Sequence, residues 1–505
     1  MAFFPVDLPP GVLANGPVYE SKGRWRKADL FRWYNGKMQP VGGWQRFSQY
    51  ALPEPARAIL TWRSNDGSPR CAIGTANHLQ YTAGSIINDI TPSGLAEGNV
   101  DAFIGAGFGT SDYSKDDYGT PRSGATKVTG ATTWSLDNFG QVLLALDSSD
   151  GRLFSWDPVN QTPTAQLVAN APTQASAMFV TTERMVVMLG AGGNPREIQW
   201  CNQGDFNNWT ADETTTAGDL QLHSNGIPLA GIRMPGTHLI FTDTDVHTLT
   251  YVGYPYIYGT NLLSSSCGLI SSKAFAATTN FAVWMGNQNF YLYNGVVQAI
   301  PSDVGEAVFG NLNVQQQSKI CAGINSTFSE VWWFFPSTNS RENDSYCYWN
   351  FKDNFWGIGI GVLGRTAWSD REVWPNPIGA GSDRNLYEHE SGWTDAGNTR
   401  VGTFSALTGP IDTANGDTVL NVTRIIQDTD ESAAPGTGNY NVSFLTRQTP
   451  NGPQDTWGPY TMRSDDGYTD CRFTGRQLQM FIEPVTDGLF QVGAIRLDAK
   501  SGGRR

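Results

Sequence analysis

ASAMFVTTERMVVMLGAGGNPREIQWCN, from Ala175 to Asn202, decides how this chain is to be read. A small-residue strand comes first, then a polar turn at Thr181–Arg184. Next comes the apolar run MVVMLG, a second turn rich in Gly and Asn, and a strand ending in Trp200. A short continuous apolar run bounded by turns predicts a strand buried on both faces. The same order recurs in modules that begin at Ala56, Ala131, Leu229, Ser272, Ala322 and Arg365. Their apolar runs are QVLLAL, HLIFT, FAVWMG and EVWWFF among others. Each run is followed by a strand that alternates, such as HLQYT, RLFSW, FYLYN or NLYEH, as a strand with one exposed face would.

The spacing of roughly 30 to 50 residues matches four-stranded propeller blades. A single blade cannot bury both faces, so neighbours must cover each other and the ring must close. The expected fold is therefore all-β: a β-propeller of about six to eight blades with a C-terminal antiparallel β-sandwich or platform. Residues 56–400 form the propeller in this reading. Residues 1–55 form an N-terminal arm whose strand-like runs at 28–48, with a turn signal at Asn35-Gly36, make a ring-closing hairpin. After Gly402 the texture changes to loops separated by five or more strands, so 401–505 reads as a separate sandwich.

Composition agrees with this pattern. Only 16% of the 505 residues are charged, while Gly numbers 56, Pro 27 and Trp 17, a turn-rich and aromatic chain. The net charge of −13 argues against a protein that coats nucleic acid, which needs clustered Lys and Arg. Six cysteines, at 71, 201, 267, 321, 347 and 471, contain no C-x-x-C and read as scattered free thiols. The start lacks a basic region followed by an apolar run, and no stretch is long and apolar enough to span a bilayer. The sequence thus predicts no signal peptide and no membrane insertion.

Candidate chemistry is sparse. The five histidines show no H-x-x-x-H or H-E-x-x-H spacing, so a zinc hydrolase is not expected. GAGFG at Gly105–Gly109 lacks the Gly-Lys-Ser/Thr of a phosphate loop. SDYSKDDYG carries Asp112, Asp116 and Asp117 without the alternation of a calcium loop. Asp243, Asp245 and Glu197 supply carboxylates, but nothing marks an acid pair with divided roles. No nucleophile elbow or triad is evident, so the expectation is a non-enzymatic protein without metal or cofactor.

The densest feature is basic and aromatic: Lys22, Arg24, Trp25, Arg26, Lys27, Phe31, Arg32, Trp33 and Tyr34. Such a mix marks protein–protein hot spots and also single-strand stacking platforms. In an acidic chain, docking or ring closure is the favoured role for Trp25, Arg26, Arg32, Trp33 and Tyr34.

Long stretches resemble one family. Arg196–Leu222, Ser264–Pro301, Asn325–Gly359, GRTAWSDREVW, LYEHESGW and ADLFRWYNGKMQPVGGW are similar to the tail nozzle, or tail hub, proteins of short-tailed bacteriophages. GRQLQMFIEPVTDGLFQVGAIRLD resembles the end of the packaged-DNA stabilisation proteins of the same class. The resemblance covers most of the chain but transfers no catalytic residues. It implies a homohexameric ring below the portal adaptor, in the virion tail and assembled in the host cytoplasm. Fibres, spikes and a needle or plug attach to such a ring, and duplex DNA passes through it without sequence-specific binding. The loop 105–119, with Phe108, Asp112, Asp116 and Asp117, is expected to project into the channel or toward a partner. A glycan-binding or glycan-cleaving propeller acting in receptor recognition is the alternative.

Overall fold

Val186–Leu189 is buried at every position and lies between Ala177–Val180 and Glu197–Trp200, with Gly218–Gln221 completing an antiparallel four-stranded sheet. An apolar strand flanked on both edges and covered on both faces is what its composition demands. The computed structural model describes residues 2–104, 128–160, 162–412, 416–427, 429–430, 439–449, 452–462 and 467–502. Strand accounts for 48% of the described residues and helix for 4%, so the fold is all-β.

Seven four-stranded sheets follow the seven modules. Sheet one runs Ala58–Arg63, Pro69–Gly74, Leu79–Ala83, Ile86–Asp89. Sheet two begins at Trp134–Phe139, sheet three at Ala177–Val180, sheet four at Pro228–Met234 and sheet five at Phe275–Ala277. Sheet six begins at Cys321–Asn325, and its other three strands, Glu330–Phe335, Ser345–Asn350 and Phe355–Gly359, are buried at every residue. Sheet seven contains Ala367–Ser369, Ile378–Ala380 and Leu386–His389, and its fourth strand is Trp44–Arg46 from the start of the chain.

Consecutive sheets are tied by named contacts. Trp134 Nε1 donates to the Thr75 carbonyl at 2.6 Å, joining sheets two and one. The Val180 amide donates to Asp137 at 2.8 Å, and Ser176 Oγ to the Pro228 carbonyl at 3.0 Å. Phe241 and Phe275 stack at 5.2 Å between sheets four and five. Trp333 Nε1 reaches the Ala274 carbonyl at 3.1 Å, and Trp368 Nε1 the Ile324 carbonyl at 2.8 Å. Thr61 and Ser369 hydroxyls meet at 2.9 Å, so sheet seven also touches sheet one. Indoles suit these joints: the ring fills the space between sheets and its N–H satisfies a carbonyl there.

The N-terminal arm departs from expectation. Trp25–Asp29 pairs with Ser405–Thr408, and Lys37–Pro40 with Gln491–Val492, while Ala2–Val6 pairs with Ile495–Ser501. Of the predicted 28–48 hairpin, only Trp44–Arg46 joins a module sheet. The last hundred residues therefore do not build their sheets alone. The arm supplies the strand that covers the edge of Ile495–Ser501, which would otherwise stay unpaired.

The remaining C-terminal strands include Leu420–Ile426, Tyr440–Arg447, Gln454–Met462, Thr469–Gly475 and Gln477–Pro484. All six cysteines are free, five of them buried. Among the described residues, no helix is long and apolar enough to cross a membrane.

Candidate functional site

The basic and aromatic stretch folds as Trp25–Asp29, Phe31–Tyr34 and Lys37–Pro40. Asn35 and Gly36 both have positive φ, 51° and 79°, the geometry of a two-residue hairpin turn that Asn-Gly favours. Leu30 breaks the first two strands at φ 55°, and the Tyr346 hydroxyl accepts its amide at 2.7 Å. The Tyr348 hydroxyl donates to the Phe31 carbonyl at 3.0 Å. Two tyrosines of sheet six thus satisfy backbone groups of the arm in the interior.

Arg32 is the centre. Its Nη2 meets Glu330 Oε2 at 2.9 Å and Glu390 Oε1 at 2.8 Å, and its guanidinium lies 3.7 Å from the Phe328 ring centroid. Asn325 Nδ2 donates to Glu390 at 2.8 Å and Trp332 Nε1 to Glu330 at 2.9 Å. Burial works against the Arg32 charge, yet Glu330 and Glu390 together hold its pKa above the ordinary value. Burial pushes the Glu330 carboxyl up to about 7, with Arg32 drawing it down and Glu390 adding to the rise. Two acids around one guanidinium leave this cluster with an excess negative charge when both ionise, and that repulsion adds to the upward pull of burial on Glu330.

Trp33 and Trp25 are buried beside each other, ring centroids 6.2 Å apart, and Trp33 meets Phe355 edge-on at 5.6 Å. Arg26 donates to the Asn15 and Gly16 carbonyls at 3.1 and 3.0 Å, clamping the preceding loop. Arg24 pairs with Asp303 at 2.8 Å and Lys22 with Asp412 at 2.6 Å. Tyr34 alone of the five predicted interface residues is exposed, resting on Phe328 at 5.6 Å. The arm therefore places its cations and indoles against the rest of the chain: module acids meet Arg24 and Arg32, Asp412 meets Lys22, and carbonyls of the arm itself meet Arg26. Phe108, Asp112, Asp116 and Asp117 lie outside the described residues, as does Gly105–Gly109.

A second knot adjoins the first. Arg365 and Arg400 lie over the Trp44 ring at 5.0 and 4.9 Å, and Arg400 donates to the Val41 and Gly42 carbonyls at 2.9 and 3.1 Å. Arg365 Nε donates to His389 Nε2 at 2.8 Å. Burial and the cations Arg365, Arg400 and Arg32 hold His389 well below its usual pKa, so its imidazole is neutral and accepts. Gly43 sits here because a Cβ would collide with the backbone of Thr394.

Carboxylates named from sequence have structural duties. Asp243 accepts from the Ile227 amide at 2.7 Å and Asp245 from the Thr242 hydroxyl at 2.6 Å. Glu197 hydrogen-bonds Asp219 side chain to side chain, and burial and that contact raise its pKa. Those carboxyls touch, whereas glycosidase acids stand about 5–9.5 Å apart.

Sequence reasoning missed one Ser–His–Asp grouping, because Ser224 and His247 lie on different elements. Ser224 Oγ and Asp245 Oδ1 approach the same His247 nitrogen, Nε2, at 2.9 and 3.0 Å. A triad needs the acid on one ring nitrogen and the nucleophile on the other, so this grouping cannot relay a proton. A cavity of about 560 Å³ runs between the first strands of sheets two to five, with Asp137, Arg233, Lys273 and Glu372 among its lining residues. Burial lowers the Lys273 pKa to about 8, opposed by Asp137, which Arg233 also approaches at 3.4 Å. Among the described residues, no group of three or more His, Cys, Asp or Glu side chains converges as a metal site.

No family model matches the chain, and no curated protein matches it. Among solved structures it is similar to the computationally designed Ika8 protein, at 14% identity over 69% of this chain and 100% of that one. The TM-score of 0.40 makes that a likeness on which neither fold nor function rests.

Proposed function

We propose that this chain is the nozzle, or hub, subunit of a short-tailed phage tail, a structural virion protein that lines the DNA path below the portal adaptor. In this reading the seven sheets are blades of a seven-bladed propeller, closed where Trp44–Arg46 completes the last blade. The contacts from sheet to sheet, and from sheet seven back to sheet one through Thr61 and Ser369, support closure. The C-terminal sheets, with the arm woven into them, form the platform.

One observation carries the functional reading. Three of the motifs that resemble the nozzle family lie far apart in sequence yet meet at one junction. Arg32 belongs to Ala28–Trp44, Glu330 to Asn325–Gly359 and Glu390 to Leu386–Trp393, and they form a single ion cluster. The resemblance thus rests on residues that act together physically.

Charge fits the role. A channel wall that neutralised phosphates would grip DNA, whereas an acidic, sparsely charged subunit lets it slide. Retention then comes from a constriction or plug. Six copies around one axis bind head to tail, each using two different surfaces. Portal adaptor, fibres or spikes and a needle are the partners of the assembled ring.

Negative-stain images of the purified full chain and of tails containing it test the proposal. Sixfold rings are expected. Particles that never form rings, together with release of reducing ends from host polysaccharide, would replace the proposal with the glycan-cleaving alternative.

A further inference from the structure

We infer that the hairpin Asp245–Ser265 of sheet four is the element by which one copy of this chain docks on a second copy; the inference rests on the nozzle reading. Its two strands, Asp245–Gly253 and Ile257–Ser265, have nine residues each, whereas the outermost strands of the other six sheets have two to five. Among the described residues, Ile257–Ser265 pairs on one side only. A long open edge is an association hazard unless something covers it.

The tip is aromatic and bare. Tyr254 is 73% exposed, Tyr256 77% and Val252 57%, and farther along the open edge strand Leu262 is 54% exposed. It is nevertheless held in place. Tyr258 is buried, donates to Thr181 Oγ1 at 2.9 Å, and meets Trp200 of sheet three edge-on at 5.2 Å. A tip fixed before binding loses little freedom on docking, and exposed tyrosines are typical interface anchors.

Charge selects the occupant. From Val246 to Ser272 the chain carries no Asp, Glu, Lys or Arg. A polyanion finds no cation there. Two copies at −13 each repel elsewhere on their surfaces, and an uncharged aromatic tip is where like-charged copies can approach.

The test is sedimentation velocity and negative-stain imaging of the full chain over a concentration series, wild type against Tyr254→Ser/Tyr256→Ser and, separately, Leu262→Lys. Both variants should melt as the wild type does, because the altered side chains are exposed. Each should weaken self-association at least about tenfold. Wild type that stays monomeric at every concentration, or variants that associate as the wild type does, would overturn the inference. If the variants keep sixfold rings, the hairpin assignment falls and the nozzle reading stands. If wild type forms only dimers that the variants abolish, the hairpin assignment stands and the sixfold reading falls. Host polysaccharide captured through the tyrosines, with self-association unchanged in the variants, also counts against a second copy.

Discussion

Trp25 and Trp33 are 4% and 3% exposed, while Tyr254 and Tyr256 are 73% and 77% exposed. Both pairs sit in stretches rich in aromatics, one in strands at the start of the chain and one in the turn of the long hairpin of sheet four. The difference lies in what the fold brings to them. The arm carries Arg24, Arg26 and Arg32; the modules offer Asp303, Glu330 and Glu390 to the first and last, and the arm's own Asn15 and Gly16 carbonyls take Arg26. Charges with partners can be buried, and the indoles go in with them. The hairpin tip has no charges and receives no covering element among the described residues. A basic and aromatic stretch is thus a poor marker of exposed surface here, and a charge-free aromatic one is a better marker.

The contrast breaks most visibly at Arg32. Arg32→Met leaves the buried Glu330 and the half-buried Glu390 without their cation and should cost about 3–5 kcal/mol, read as a lower urea midpoint by tryptophan fluorescence. Trp33→Ala, which empties the space between Trp25 and Phe355, should cost a comparable 3–5 kcal/mol or so. Unchanged midpoints in both variants would mean that the arm does not hold the fold together.

A pH series sharpens the same side of the comparison. The folded Glu330 carboxyl titrates at about 7 against an ordinary 4.5, so the folded state holds its proton more tightly than the unfolded one. The stabilisation from that proton is complete below about 4.5 and disappears as pH rises through about 7. Relative to Glu330→Gln, the wild type should therefore lose about 1–3 kcal/mol of stability across that window. A constant difference between the two proteins over the window would show that Glu330 keeps an ordinary pKa.

The smallest effect belongs to the hairpin. Tyr254→Ser/Tyr256→Ser should change the stability of the single chain by no more than about 0.5 kcal/mol, checked by the same denaturation curves. A loss of several kcal/mol would show that the tip supports its own subunit, and the comparison between buried and presented aromatics would fail.

Much of the strand pattern could be read directly. The runs MVVMLG and EVWWFF mark strands buried throughout, and Asn35-Gly36 marks a turn. The alternation expected of the third strands is weaker than the residues suggest: Leu153–Trp156 is buried at all but Ser155. Neighbouring sheets cover what a free-standing sheet would leave open. The hairpin left a trace that could have been found, the absence of charge from Val246 to Ser272, but its length depends on pairing that no local pattern reports.

What the amino-acid order determines alone is local: seven modules, the apolar middle strands, the tight turns and the acidic, low-charge surface chemistry. Tertiary structure decides the destinations. Arg32 and Glu330 stand 298 positions apart, and nothing near either residue announces the other. The same holds for the arm, which takes its places beside Ser405–Thr408, Gln491–Val492 and Ile495–Ser501. Periodicity and turn chemistry act over a few residues and so can be read along the chain. Pairing of edges and burial of charge are settled by which distant groups arrive at the same point in space, and only the folded molecule brings them there.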